Sequence, residues 1–133
     1  MSQEPAVLFA NEAFYIAFAS RDVDGMDDLW ARQNRVTCIH PGWPPLDGRD
    51  AVMESWANIL SNTDSPAITC THSRAFIIGT AAYVICHENL EQATLVATNI
   101  FALEDGGWKM VHHQAAPAPA PEETEPPEKP TVQ

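Results

Sequence analysis

The sequence predicts an α+β domain in which N-terminal helices cover one face of a curved antiparallel sheet. Up to Leu60, apolar residues recur mainly at helical spacing, whereas beyond Pro66 the period drops to two. Gly79-Thr80, Glu91-Gln92 and Asp105-Gly106-Gly107 then divide the second half into four segments, the last of them marking a hairpin. Helices followed by a meander of strands is the arrangement of an α+β fold.

The first helix is expected over about Pro5 to Ser20. Pro5 suits its first turn, and Val7, Ala10, Phe14, Ala17 and Phe18 share one face. Asp22 and Asp24 mark a break and the start of a short second helix. Asp27 and Asp28 are assigned to its positive N-terminal end, and Met26, Leu29 and Trp30 to its apolar side. Arg35 to His40 alternates as a strand with Val36, Cys38 and His40 on one face, and Pro41 holds His40 extended. After the loop Pro41-Gly42-Trp43-Pro44-Pro45-Leu46, Asp47 with Asp50 three residues on reads as a helix cap. A third helix is therefore expected over Gly48 to Leu60, with Val52, Trp56 and Ile59 inward. The four strands are expected at Ala67–Ile78, Ala81–Asn89, Thr94–Leu103 and Trp108–Gln114.

Composition bounds the partners. The formal charge is −11, and the last nineteen residues, with four glutamates and one lysine, leave −8 on the rest. That balance repels phosphate backbones and anionic membrane surfaces, so no nucleic acid and no membrane is expected as a partner. The apolar run Val7–Ala19 is interrupted by Asn11 and Glu12 and is too short for a span. The C-terminal stretch holds six of the eleven prolines and no aromatic residue. Residues 1–116 are therefore expected to fold, and 117–133 to form a disordered Pro/Glu-rich tail. The opening Met1-Ser2-Gln3-Glu4-Pro5 has no basic segment, and Cys38, Cys70 and Cys86 lack any Cys-x-x-Cys spacing. Reduced core thiols in a cytoplasmic protein are the expectation.

Strand parity supplies the candidate site. Ala82, Val84, Cys86 and Glu88 share one face; Leu95, Ala97, Asn99, Phe101 and Leu103 share another. The adjacent His112 and His113 point in opposite directions. With Trp108 and Met110 inward, His112 joins them and His113 lies outside with Lys109 and Val111. Burial raises the proton affinity of a carboxyl group, and histidine titrates nearest neutral pH, so Glu88 and His112 are the expected acid/base pair. Asn99 is assigned to a substrate carbonyl or to the histidine tautomer, and His40 to the pocket mouth. Trp30, Trp43, Trp56 and Phe101 are the aromatic ligand-binding candidates. In the competing reading, a buried Glu–His–Asn cluster simply satisfies itself within the core. His112 and His113 diverge, as do His87 and Glu88, and no His-x-x-x-His or phosphate-binding glycine motif occurs. No metal and no organic cofactor is expected.

Four segments resemble the SnoaL-like branch of the nuclear-transport-factor-two-like superfamily across about Pro5 to Ala116. They are Ser20-Arg21-Asp22-Val23-Asp24, His40-Pro41-Gly42-Trp43 with Leu46-Asp47-Gly48-Arg49, Ala97-Thr98-Asn99-Ile100-Phe101, and Gly107-Trp108-Lys109-Met110-Val111-His112-His113. The resemblance implies a cone-shaped α+β fold, a pocket between sheet and helices, and a homodimer formed through the sheet. It also implies a family of isomerases, dehydratases, polyketide cyclases and epoxide hydrolases, alongside members without a known reaction. Neither Tyr15 nor Tyr83 matches the tyrosine–aspartate arrangement of ketosteroid isomerases. Two functions follow as expectations. One is a cofactor-independent isomerase, cyclase or dehydratase acting on an apolar small molecule; the other is a non-catalytic ligand-binding or dimerisation domain.

Overall fold

The computed structural model describes residues 2–122. Helix α1 (Glu4–Ser20) is followed by α2 (Val23–Leu29), strands β1 (Thr37–Ile39) and β2 (Leu46–Asp47), and helix α3 (Arg49–Ser61). Four long strands complete the fold: β3 (Thr69–Ile78), β4 (Ala81–Asn89), β5 (Thr94–Glu104) and β6 (Gly107–Pro117). Together with β1 and β2 they form one curved, open six-stranded sheet in the order β2-β1-β6-β5-β4-β3, with the helices over its inner face.

The sheet is not wholly antiparallel, as the sequence reading had it. Strand β1 pairs β6 in parallel, Thr37 opposite His112 and Ile39 opposite Gln114. The long excursion through the rest of the domain makes that geometry available, since parallel neighbours need a long connection. Leu46 and Asp47, read as loop and cap, instead add a short edge strand. Gly48 takes the position before α3 at φ 98° and makes no side-chain cap; Asp47 instead accepts a hydrogen bond from Arg35 Nε at 2.7 Å.

Helix α1 buries Val7, Ala10, Phe14 and Ala17 as its spacing requires, and adds Asn11 and Tyr15 to the buried set. Phe14 meets Trp56 of α3 edge-to-face at 5.4 Å, which locks the two helices over the sheet. In α2 the sequence assignment is reversed. Asp22 caps the helix through Gly25 N, and Asp27 and Asp28 fall near its C-terminus, where carboxylates oppose the dipole. Arg49 and Arg32 offset the charge on Asp27 at 2.8 and 2.7 Å, and these hydrogen bonds lower its pKa despite partial burial.

The inner faces of β4 and β5 alternate as expected until the end of β5. There Leu103 turns out, 38% exposed, and Glu104 turns in. Glu104 accepts hydrogen bonds from Arg32 N, Gln33 N and Asn34 Nδ2, so its burial serves to pin the turn after Trp30. Burial alone would raise its pKa, but these donors hold it low. At the C-terminal end, Pro117 pairs Leu95 and Ala118 N donates to Thr94 O, so ordered pairing passes the expected boundary at 116. The expected tail from residue 123 onward lies outside the described residues.

Candidate functional site

The decisive local feature is a bulge in β6. Phe101 pairs Met110 and Ile100 pairs His112, which leaves Val111 without a partner across the ladder. One extra residue resets strand parity, so residues beyond it exchange faces. Trp108 and Met110 face the core, but so does His113, at 2% exposure, and not His112. This corrects the expected pair: His112 sits on the outer face, where Thr37 Oγ1 donates to its Nδ1 at 2.6 Å and its Nε2 donates to Gln114 Oε1 at 2.7 Å. The hydrophobic pattern could not mark the slip, because Val111 fits either face.

Directly across the ladder from His113 stands Asn99. Its Nδ2 donates to Asn11 Oδ1 at 2.8 Å and to the Tyr15 hydroxyl at 3.2 Å, so its Oδ1 is left to accept. His113 Nδ1–H supplies that bond at 2.6 Å. The proton is therefore fixed on Nδ1, and Nε2 carries the lone pair. Nε2 lies 3.9 Å from Glu88 Oε2, and Glu88 is itself 2% exposed. Tyr15 completes the circuit by donating its hydroxyl to that same carboxyl oxygen at 2.6 Å.

Burial governs the charge states. It drives the His113 pKa down to about 3, with smaller contributions from His40 and His112. It raises the Glu88 pKa, against a lowering contribution from the Tyr15 hydrogen bond. The Tyr15 hydroxyl is pushed far up by burial first, then by Glu88 and Cys86, so it remains a hydrogen-bond donor. At neutral pH His113 is uncharged, and Glu88 is displaced toward its protonated form.

Both residues line a cavity of about 320 Å³ between sheet and helices. Phe18, Trp56, Ile68 and Leu95 supply apolar wall, and Trp43, 44% exposed, stands at its edge. His40 lines the cavity too and packs between Trp43 and Trp56, each at 4.8 Å. Ser55 donates its hydroxyl to Val52 O, so His40 donates Nε2–H to Ser55 Oγ at 2.9 Å. Burial lowers the His40 pKa to about 4. Trp56 is buried, and its indole N–H has no partner among the described residues. Arg21 ties the ends of α1 and α3 to the cavity rim through Leu60 O, Asn62 O and Ser65 O.

Of the expected site residues, the structure gathers Glu88, His40, Trp43 and Trp56 around the cavity, with Asn99 behind His113. Trp30 and Phe101 are buried elsewhere in the core and do not line it. His113, Tyr15, Asn11 and Ser55 are the additions. Asn11 and Tyr15 were readable as polar residues beside a helix's apolar face; the bulge that exchanges the two histidines left no such sign. His72, whose direction was open, sits exposed on a bulge of β3 at φ 60° and packs against His87 on the outer side. Among the described residues no three histidine, cysteine or carboxylate groups are spaced to hold a metal ion, and no helix is long and apolar enough to cross a membrane.

The fold and this arrangement can be set beside known proteins. Residues 7–121 match the SnoaL-like domain. The chain belongs to the SnoaL-like family. Among solved structures, this SnoaL-like chain resembles a candidate dehydratase of the NTF2-like family from Streptomyces avermitilis. The two are 34% identical with a TM-score of 0.82, over 89% of this chain and 97% of the other. It also resembles a candidate calcium/calmodulin-dependent protein kinase type II association domain from Thiobacillus denitrificans. That match is 31% identical with a TM-score of 0.73, over 83% of this chain and 93% of the other. The F-box protein SKIP8 of Arabidopsis thaliana is 27% identical over 114 residues, 84% of this chain and 49% of that protein. The chain thus spans about half the length of that relative.

Proposed function

We propose that this SnoaL-like domain binds a small, uncharged, largely apolar molecule and moves protons on it without a cofactor, as an isomerase, cyclase or dehydratase does. The observation that carries this reading is the facing of His113 Nε2 and Glu88 Oε2, 3.9 Å apart on the wall of an apolar cavity. Each is held from behind, His113 by Asn99 and Glu88 by Tyr15. A cavity of about 320 Å³ is at the small end of the roughly 300–1,000 Å³ range of such sites.

The chemistry follows from an uncharged His113 and a Glu88 whose proton affinity burial raises. His113 Nε2 takes a proton from carbon next to a substrate carbonyl, while the Glu88 carboxyl donates its proton to the carbonyl oxygen. The substrate becomes an enol, and the protein is left with an imidazolium–carboxylate pair. Each charge stabilises the other in a low-dielectric site, and Asn99 Oδ1 accepts from the imidazolium at Nδ1. Returning the protons to different atoms gives isomerisation; protonating a β-hydroxyl as it leaves gives dehydration. The dehydratase designation of the Streptomyces avermitilis structure supports this class of reaction.

Thermal-shift screening of small aromatic and cyclic ketones against wild type and His113→Gln tests the reading. Stabilisation present in wild type and lost in the variant supports it, and proton exchange at the carbon beside the carbonyl, lost in Glu88→Gln, places catalysis. Ketone-dependent stabilisation unaffected by His113→Gln would remove the site.

A second reading is assembly. The outer sheet face carries half-buried Ile39, Tyr83, Ile85, Val96 and Ile100, and the Thiobacillus denitrificans relative is described as an association domain. A homodimer through this face is the arrangement proposed, and it is compatible with catalysis because the cavity opens on the other side. Sedimentation of wild type and Ile100→Asp distinguishes dimer from monomer.

A further inference from the structure

Cys70 and Cys86 stand apart from the acid/base pair yet adjoin it. Cys70 lies opposite Glu88, and Cys86 lies two residues before Glu88 on the neighbouring strand, so the thiols are diagonal neighbours on the inner face. Asn11 Nδ2 is 3.9 Å from each sulfur, so one amide group contacts both thiols. On its far side Cys86 touches the Tyr15 hydroxyl at 3.4 Å. Cys70 is half-buried and lines a surface depression between α1 and β3 with Glu12 and Ile16, which gives it a route to solvent.

Closure requires the two strands to draw together at this point. Diagonal neighbours on a regular ladder are about 7–8 Å apart, and a disulfide requires a Cα separation of about 4.4–6.8 Å. β3 is an edge strand, and it bulges immediately after Cys70, between Thr71 and Arg74, with His72 at φ 60°. A bulged edge strand pairs on one side only, so moving it disturbs one ladder and not two. Ser73 Oγ from that bulge sits 3.3 Å from Cys70 Sγ. Hydrogen bonds from Cys86 and Ser73 lower the Cys70 pKa against burial, whereas Cys38, buried elsewhere, is pushed up to about 12.

We propose that Cys70 and Cys86 form an oxidisable dithiol that closes to an intramolecular disulfide on exposure to a hydroperoxide. The Cys70 thiolate attacks one peroxide oxygen, the O–O bond breaks, and hydroxide leaves to take up a proton. Cys86 then gives up its proton and attacks the resulting sulfenic sulfur; the S–O bond breaks, the S–S bond forms, and the leaving hydroxide becomes water. Two thiols lose two electrons and hydrogen peroxide becomes two waters. Because Cys86 touches Tyr15, which donates to Glu88, the modification is joined to Glu88 through one intervening residue.

Treating the full chain with hydrogen peroxide and measuring intact mass tests this. Wild type should lose two hydrogen atoms, peptide mapping should join Cys70 to Cys86, and a thiol reductant should reverse both changes. In Cys86→Ser, dimedone should trap a sulfenic acid at Cys70; Cys70→Ser should leave Cys86 unoxidised. Circular dichroism establishes that both variants are folded. An unchanged mass at excess peroxide, a bond to Cys38, a bond between chains, or persistent dimedone labelling of Cys70 in wild type would overturn the proposal.

Discussion

His113 Nδ1 donates to Asn99 Oδ1 at 2.6 Å, and this one bond decides which imidazole nitrogen faces the cavity. Replacing Asn99 by Ala leaves His113 Nδ1 and Asn11 Oδ1 without it. Each buried polar group so orphaned costs about 1–3 kcal/mol, so denaturant unfolding should show a loss of at least that size. Nitrogen NMR of His113 should also change from a single Nδ1–H tautomer to a mixture.

The two adjacent histidines should behave differently. His112→Ala removes contacts with Thr37 and Gln114 on the outer face and should change stability by only about 0.5–1 kcal/mol, with ligand response intact. His113→Ala empties a fully packed position beside Phe14 and Trp56 and should abolish ketone-dependent thermal shifts. Equal ligand responses in both variants would contradict the facing described above.

Stability should fall toward both ends of the pH scale for different reasons. His113 and His40 have pKa values lowered by burial to about 3 and about 4, against 6.5 when unfolded. Below pH 6.5 the unfolded chain binds protons that the folded chain refuses, so stability is lost as pH falls toward those values. Each group contributes up to about 1.36 kcal/mol per pH unit. Glu88 has the opposite sign: its pKa is raised from 4.5, so its contribution is complete below 4.5 and is lost as pH rises through the folded value. Glu88→Gln should remove that upper limb and leave the acid limb unchanged, as read by melting temperature against pH.

Tyr15→Phe removes the donor to Glu88 Oε2. Since that bond lowers the Glu88 pKa against burial, its loss should move the carboxyl titration to higher pH in carbon NMR. The stability cost should be about 1–2 kcal/mol.

Trp56 and Trp43 both border the cavity but differ in burial, 1% against 44% exposed. Trp56→Ala should cost about 3–5 kcal/mol through the void it leaves. Trp43→Ala should cost less than about 1 kcal/mol and still weaken ligand binding, as measured by thermal shift.

The long elements were legible because each buries one face and so repeats apolar residues at its own period. Val7, Phe14 and Val52 mark helices; Val84, Cys86 and Glu88 mark an inward strand face, and the structure keeps them there. Glu88 and Asn99 were recognisable as polar residues on apolar faces for the same reason. The position of Asp27 was misread because helix ends were placed from charge alone, while Arg49, twenty-two residues away, supplies the compensation.

The sequence by itself determined that helices cover a sheet, that Glu88 and Asn99 are polar residues on inward, apolar strand faces, and that only one of two adjacent histidines would join them. Only the tertiary structure decided which one. The bulge at Val111 arises from the pairing of β6 with β5, a non-local interaction that a pattern read along one strand does not contain. The same holds for Tyr15 and Asn11, whose role depends on α1 crossing residues more than seventy positions away. Local periodicity is set by burial of a face, whereas register and hydrogen-bond partners are set by the neighbouring element.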